Sequence, residues 1–75
     1  MSRLKLLTAK DLEKLITRLG FVKTRQKGSH AFYRHVDGRT TVIPFHISKN
    51  LPRPIIRLIL KEIDLSVDEY NELII

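Results

Sequence analysis

Three short segments follow one another between residues 21 and 44: Phe21-Val22-Lys23-Thr24-Arg25-Gln26, His30-Ala31-Phe32-Tyr33-Arg34-His35-Val36 and Arg39-Thr40-Thr41-Val42-Ile43-Pro44. Aromatic and β-branched residues in them suit a pleated, half-buried surface. Lys27-Gly28-Ser29 breaks the first from the second. Asp37-Gly38, a two-residue hairpin signal, breaks the second from the third. Such short turns predict three sequential strands in an antiparallel meander.

Outward from the strands the period changes to that of a helix. Before them, Leu12, Leu15, Ile16 and Leu19 make one apolar stripe. Thr8 is placed to cap this helix with Asp11 at N3, and Gly20 to end it. After the strands, Phe45 to Asn50 reads as a loop. Pro52 and Pro54 then mark the start of a second helix, since proline tolerates only the first turn. Ile55, Ile59 and Ile63, flanked by Ile56, Leu58 and Leu60, give it a broad apolar surface. Ile56 and Leu58 stand roughly 160° apart at about 100° per residue, so burial is expected on more than one side. A short third helix begins at Ser66, with Glu69 completing a capping box. The expected fold is α+β, in the order α-β-β-β-α with a short C-terminal helix. Helices cover one face of the sheet, and the other is left for solvent or a ligand.

Seventy-five residues form a single domain, 1–75, and 43% hydrophobic content supplies its core. The absence of cysteine excludes a disulfide framework and a thiolate metal site. No apolar run approaches the roughly 20 residues that cross a bilayer, and Met1 to Leu7 makes a poor signal peptide. A cytoplasmic protein without a membrane role is expected.

The net charge of +6 conceals an asymmetry. All 14 Lys and Arg lie between Arg3 and Lys61, against only Asp11, Glu13 and Asp37, so that region carries +11. From Glu62 onward five acids and no bases give −5. The basic body suits a polyanion such as nucleic acid.

Chemistry concentrates at Lys27-Gly28-Ser29-His30. An imidazole exchanges protons near neutrality. Glycine admits a ligand close to the backbone, and Lys27 and Ser29 suit a phosphate. Beside an RNA 2′-hydroxyl, such a base drives attack on the adjacent phosphorus. On spacing alone, the same four residues also describe a surface histidine after an ordinary turn. His35, five positions on, falls on the opposite face of a regular strand, which disfavours a two-histidine metal site. His46 is able to approach His30 across the sheet. Lys49, Arg53 and Arg57 flank or open the second helix and suit an anion. Arg34 adds a further cation. One of Phe32 and Tyr33 faces the core, and the other is free to stack a base. The partner of His30 in proton transfer stays open among His46, Lys27 and Tyr33. No metal or other cofactor is expected.

Several of these segments, in the same order, make the chain resemble the HicA toxins, also called YcfA-like proteins. They are Leu19-Gly20-Phe21, Arg25-Gln26-Lys27-Gly28-Ser29-His30, Arg34-His35 with Asp37-Gly38-Arg39, Val42-Ile43-Pro44-Phe45-His46, and Leu58-Ile59-Leu60-Lys61 with Leu65-Ser66. The resemblance implies a double-stranded-RNA-binding-domain-like fold (dsRBD-like) and an mRNA-cleaving endoribonuclease of a toxin–antitoxin pair. It implies that His30 is the catalytic histidine and that a HicB-like antitoxin covers the site. Where the family commonly opens its second helix with Gly-Thr, this chain has Pro54-Ile55. Where the family has Ala-Gly, it has Ile63-Asp64. The alternative reading is a non-catalytic RNA-binding module of the same fold; a third is a domain that binds only an antitoxin-like chain.

Overall fold

A computed structural model describes residues 3–46 and 48–74. Helix α1 spans Ala9–Arg18. Strands β1 Val22–Lys27, β2 His30–Arg34 and β3 Thr40–Pro44 follow, then helices α2 Arg53–Glu62 and α3 Val67–Ile74. The sheet is antiparallel in the order β1-β2-β3. The expected α-β-β-β-α order with a short third helix is therefore the observed one.

The pleat sorts the sheet. Ala31 and Tyr33 of β2 and Thr41 and Ile43 of β3 are buried, facing the helices. They meet Leu12, Leu15 and Ile16 of α1 and Ile56, Ile59 and Leu60 of α2. His30, Phe32 and Arg34 alternate with these and face outward. Tyr33, not Phe32, is thus the core aromatic. Strand β1 is exposed throughout and broken by a bulge. Lys23 opposes Tyr33 and Arg25 opposes Phe32, so Thr24 is the extra residue. Its hydroxyl donates to the Phe32 carbonyl at 3.3 Å. The bulge resets the alternation: Lys23 lies on the helix side, while Arg25 and Lys27 share the outer face with Phe32 and His30.

Four expectations are corrected. Lys27 ends β1 rather than opening the turn, which is Gly28-Ser29 alone. Strand β2 ends at Arg34 rather than Val36. The β2–β3 loop holds three residues, Val36-Asp37-Gly38, closed by the His35 N–H on the Arg39 carbonyl at 2.8 Å. Its turn bond runs from the Gly38 N–H to the His35 carbonyl, and Gly38 takes a φ of 101°. This is the longer hairpin form, in which a glycine follows the turn. Leu58 is 53% exposed, so α2 is buried on one side only. Its buried residues are Ile56, Ile59 and Leu60, and Leu58 lies off that stripe.

The helix ends were legible. Thr8 accepts from the Asp11 N–H at 3.2 Å. Ser66 and Glu69 each accept the other's N–H, at 3.1 and 3.2 Å. After α1, the Phe21 N–H reaches the Ile16 carbonyl and the Gly20 N–H reaches Thr17, with Gly20 at a φ of 100°. After α2 the same motif recurs: Leu65 N–H to Leu60 and Asp64 N–H to Lys61. Here the left-handed position is Asp64, at a φ of 57°. Its Cβ is disfavoured in that region.

Two polar clusters join the layers. The Tyr33 hydroxyl donates to Glu13 on α1, which also pairs with Lys23 Nζ at 3.3 Å. Arg39 pairs with Asp37 at 2.8 Å, lies 5.2 Å from the centre of the Phe21 ring and donates to the Ile63 carbonyl. The segment before α1 is also tied down. The Tyr70 hydroxyl donates to the Lys5 carbonyl at 2.7 Å, and the Leu51 N–H to Leu7 at 2.8 Å.

Asp64→Gly is expected to stabilise the fold by about 0.5–1 kcal/mol, because glycine adopts positive φ freely. Thermal denaturation measures it, and an unchanged or lowered Tm would contradict the argument. Alkali should act through the tyrosines. Burial and the bond to Glu13 raise the Tyr33 hydroxyl well above its usual range, and burial pushes Tyr70 up to about 12. The fold thus favours the neutral phenols. That stability is complete below the unfolded value of about 10 and is lost as pH rises above it. Tm should fall above about pH 10, and less steeply in Tyr33→Phe, as followed by circular dichroism.

Candidate functional site

The site lies at one end of the sheet, where three pieces of chain converge. Lys27 ends β1 and pairs in register with His30, the first residue of β2. Their side chains are cross-strand neighbours on the outer face. Gly28 and Ser29 form the two-residue turn between them. Gly28 has a φ of 60° and, as the first turn residue, fits a turn matched to the sheet twist. On the far side, His30 pairs with Pro44 of β3. The chain then continues into Phe45 and His46.

Ser29 joins the turn to this third piece. Its carbonyl accepts the Phe45 N–H at 2.7 Å, and its Oγ lies 3.1 Å from His46 Nδ1. The result is a pair of exposed imidazoles, His30 and His46, with ring centres 5.7 Å apart and planes at 75°. Among the described residues, none hydrogen-bonds to the His30 ring. The turn is braced from below. Lys23 Nζ donates to Gln26 Oε1 at 3.3 Å, and Gln26 Nε2 donates to the Gly28 carbonyl at 3.2 Å. A hydrogen-bond chain thus runs from Tyr33 through Glu13, Lys23 and Gln26 to the turn before His30. Tyr33 holds the Glu13 carboxyl below its usual range, which keeps it anionic for Lys23.

The outer face continues away from His30. Arg25 lies 4.6 Å from the centre of the half-buried Phe32 ring. Arg25, Phe32, Arg34, Thr40 and Val42 line a shallow concavity of about 480 Å³. Glu62 reaches its rim and accepts from the Thr41 hydroxyl at 2.8 Å. The arrangement offers cations with an aromatic surface between them, the combination that binds a phosphate backbone and stacks a base.

The sequence-predicted residues fall into two groups. Lys27, Gly28, Ser29, His30 and His46 come together. Arg34 shares their face at the other end of β2. Lys49 lies in the loop before α2, Arg53 opens that helix and Arg57 is in its second turn. Lys49 and Arg57 are exposed, while Arg53 Nη1 donates to the Leu4 carbonyl at 2.8 Å. The α2 N-terminus has Pro52 as its cap with no side-chain cap bond, and Pro54 in the first turn. Its anion-binding capacity therefore rests on these side chains. His35 is separate from the site: it packs edge-on against Phe21 at 5.1 Å and bonds to Asp37. Among the described residues there is no group of three or more metal-ligating side chains. Sequence reading did not single out Arg25 or Gln26. The bulge that places Arg25 has no sequence signature, although Gln26 two residues before a glycine is a usable hint.

A family model described as the HicA toxin of bacterial toxin–antitoxin systems matches residues 9–65, from α1 to the end of the second helix motif. No curated protein matches the chain.

Gln26→Ala should loosen the Gly28 turn. Loss of one such hydrogen bond corresponds to about a two- to tenfold faster amide exchange. Hydrogen exchange at Ser29 and His30, with β3 amides as the reference, measures the effect. Equal rates in both proteins would show that Gln26 does not brace the turn.

Proposed function

Since the chain belongs to the HicA family of bacterial toxin–antitoxin toxins, we propose that it is an endoribonuclease that cleaves mRNA, with His30 as general base. Membership itself implies an antitoxin partner. That this partner is HicB-like, with an acidic surface over the +11 body, belongs to the proposal. So does a cytoplasmic place of action, where mRNA is met.

The observation that carries the reading is the exposed His30 imidazole between Lys27 and His46, on an outward face free of the helices. Each part has a chemical task. His30 takes the proton of a 2′-hydroxyl, and the oxygen attacks the neighbouring phosphorus. Lys27 and His46 bind the phosphate, with Lys27 offsetting charge that grows on its oxygens. Gly28 keeps the space above the turn open: a Cβ built there meets nothing within 4 Å. Ser29 holds His46. Arg25 and Arg34 extend the cationic path, and Phe32 offers its ring to a base. Lys49, Arg53 and Arg57 extend it toward α2. No metal takes part in this scheme.

The second reading, RNA binding without cleavage, is favoured by the α2 N-terminus. Pro52 and Pro54 remove backbone N–H donors that would otherwise face a phosphate.

Purified protein is to be incubated with a long single-stranded RNA, wild type beside His30→Ala. Wild type should cleave, His30→Ala should be about 10²–10⁴-fold slower, and DNA, lacking the 2′-hydroxyl, should be spared. Binding should weaken steeply with salt as phosphate contacts release counterions. Equal cleavage by both proteins would overturn the role of His30. Salt-sensitive binding with no cleavage by wild type would establish the second reading instead.

A further inference from the structure

We propose that His46 is a second catalytic residue, the general acid that protonates the leaving 5′-oxygen, and that Ser29 is its positioning residue. The inference rests on the reading of His30 as base and adds the other half of the proton transfer.

Two exposed imidazoles with centres 5.7 Å apart can each reach a different oxygen of one phosphodiester. Cleavage needs two such contacts: one at the nucleophile, one at the leaving group. The alternatives for the second contact fit worse. Tyr33 is buried on the opposite face of the sheet, and its hydroxyl is committed to Glu13. Lys27 is the cross-strand neighbour of His30, where its ammonium is placed to hold a phosphate oxygen. His46 is the remaining candidate.

The Ser29 contact decides which nitrogen acts. Ser29 Oγ meets His46 at Nδ1, 3.1 Å away. With Nδ1–H donating to this hydroxyl, Nε2 is the nitrogen left for substrate. The hydroxyl thereby orients the ring. The Ser29 backbone is itself anchored by Phe45, which keeps hydroxyl and ring in register.

Neutral His30 accepts the 2′-hydroxyl proton as O2′ bonds to phosphorus. The bond from phosphorus to O5′ breaks, and its electron pair stays on oxygen. Cationic His46 gives its Nε2 proton to that oxygen. The products are a 2′,3′-cyclic phosphate and a 5′-hydroxyl. His30 is left protonated and His46 neutral, and exchange with water restores both.

The test removes the need for an acid. The wild-type cleavage point is mapped on an RNA oligonucleotide, and the bridging 5′-oxygen there is replaced by sulfur, which departs as a thiolate without a proton. On the oxygen RNA, His46→Ala should be slower by about 10²–10⁴-fold. On the sulfur RNA it should approach wild type, while His30→Ala stays impaired on both. Ser29→Ala should show a smaller defect that sulfur also corrects, which a merely structural loss would not show. Circular dichroism checks that the variants fold. Wild-type rates for His46→Ala on oxygen RNA, or no correction by sulfur, would overturn the assignment. Correction of His30→Ala instead would show the two roles reversed. Full activity of His30→Ala would overturn the base reading, which is distinguishable from failure of the acid alone.

Discussion

Tyr33 sits in the middle strand, buried, with its hydroxyl donated to Glu13 on the first helix. Both ends of that side chain constrain the molecule. The ring fills the space between sheet and helices. The hydroxyl must find an acceptor, because a buried unpaired donor costs about 1–3 kcal/mol. Glu13 meets that need and in turn holds Lys23 on the same side of the sheet. The side chain therefore fixes the face of β2 that turns inward. By the alternation of a strand, it also fixes the face that His30, Phe32 and Arg34 present to solvent.

That constraint explains why the site lies where it does. The general base proposed in His30 needs access, and the outer face of a two-layer fold gives it. Precision must then come from neighbours rather than from burial. It comes from three devices on this sheet: the tight Gly28-Ser29 turn, the Ser29 contacts with Phe45 and His46, and Gln26 on the Gly28 carbonyl. The Thr24 bulge adds a fourth effect. It moves Arg25 and Lys27 onto the outer face while leaving Lys23 with Glu13. One strand thereby contributes both a cation that ties sheet to helix and cations that line the open face.

The two departures that the resemblance implies, at Pro54-Ile55 and Ile63-Asp64, have different physical weights. Asp64 occupies a left-handed position that glycine fills without strain, so it taxes stability but lies outside the site. The prolines act on the α2 N-terminus, where backbone donors are lost to an anion. Neither change touches the turn before His30. The function proposed here is therefore concentrated at the sheet end, and the helix start plays a supporting part.

Local rules wrote most of the fold. The helix stripes, the Thr8 and Ser66 caps, the Gly20 stop and the turn before His30 were legible because each depends on residues within a few positions of one another. The order of elements followed from them; the resemblance rested on the residue segments themselves, and the family match over residues 9–65 supports it. Errors arose where neighbours in space decide. The three-residue hairpin, the early end of β2 and the exposure of Leu58 depend on how strands twist and which face of α2 packs on the core. Strand parity narrowed Phe32 and Tyr33 to one inside and one outside. Only packing against α1 chose between them, because Glu13 offers the phenol a partner and Phe32 needs none. His30 was visible in the sequence as a residue able to move protons. Its pairing with His46 joins residues 16 positions apart through the β2–β3 register, and only the tertiary structure brings them together.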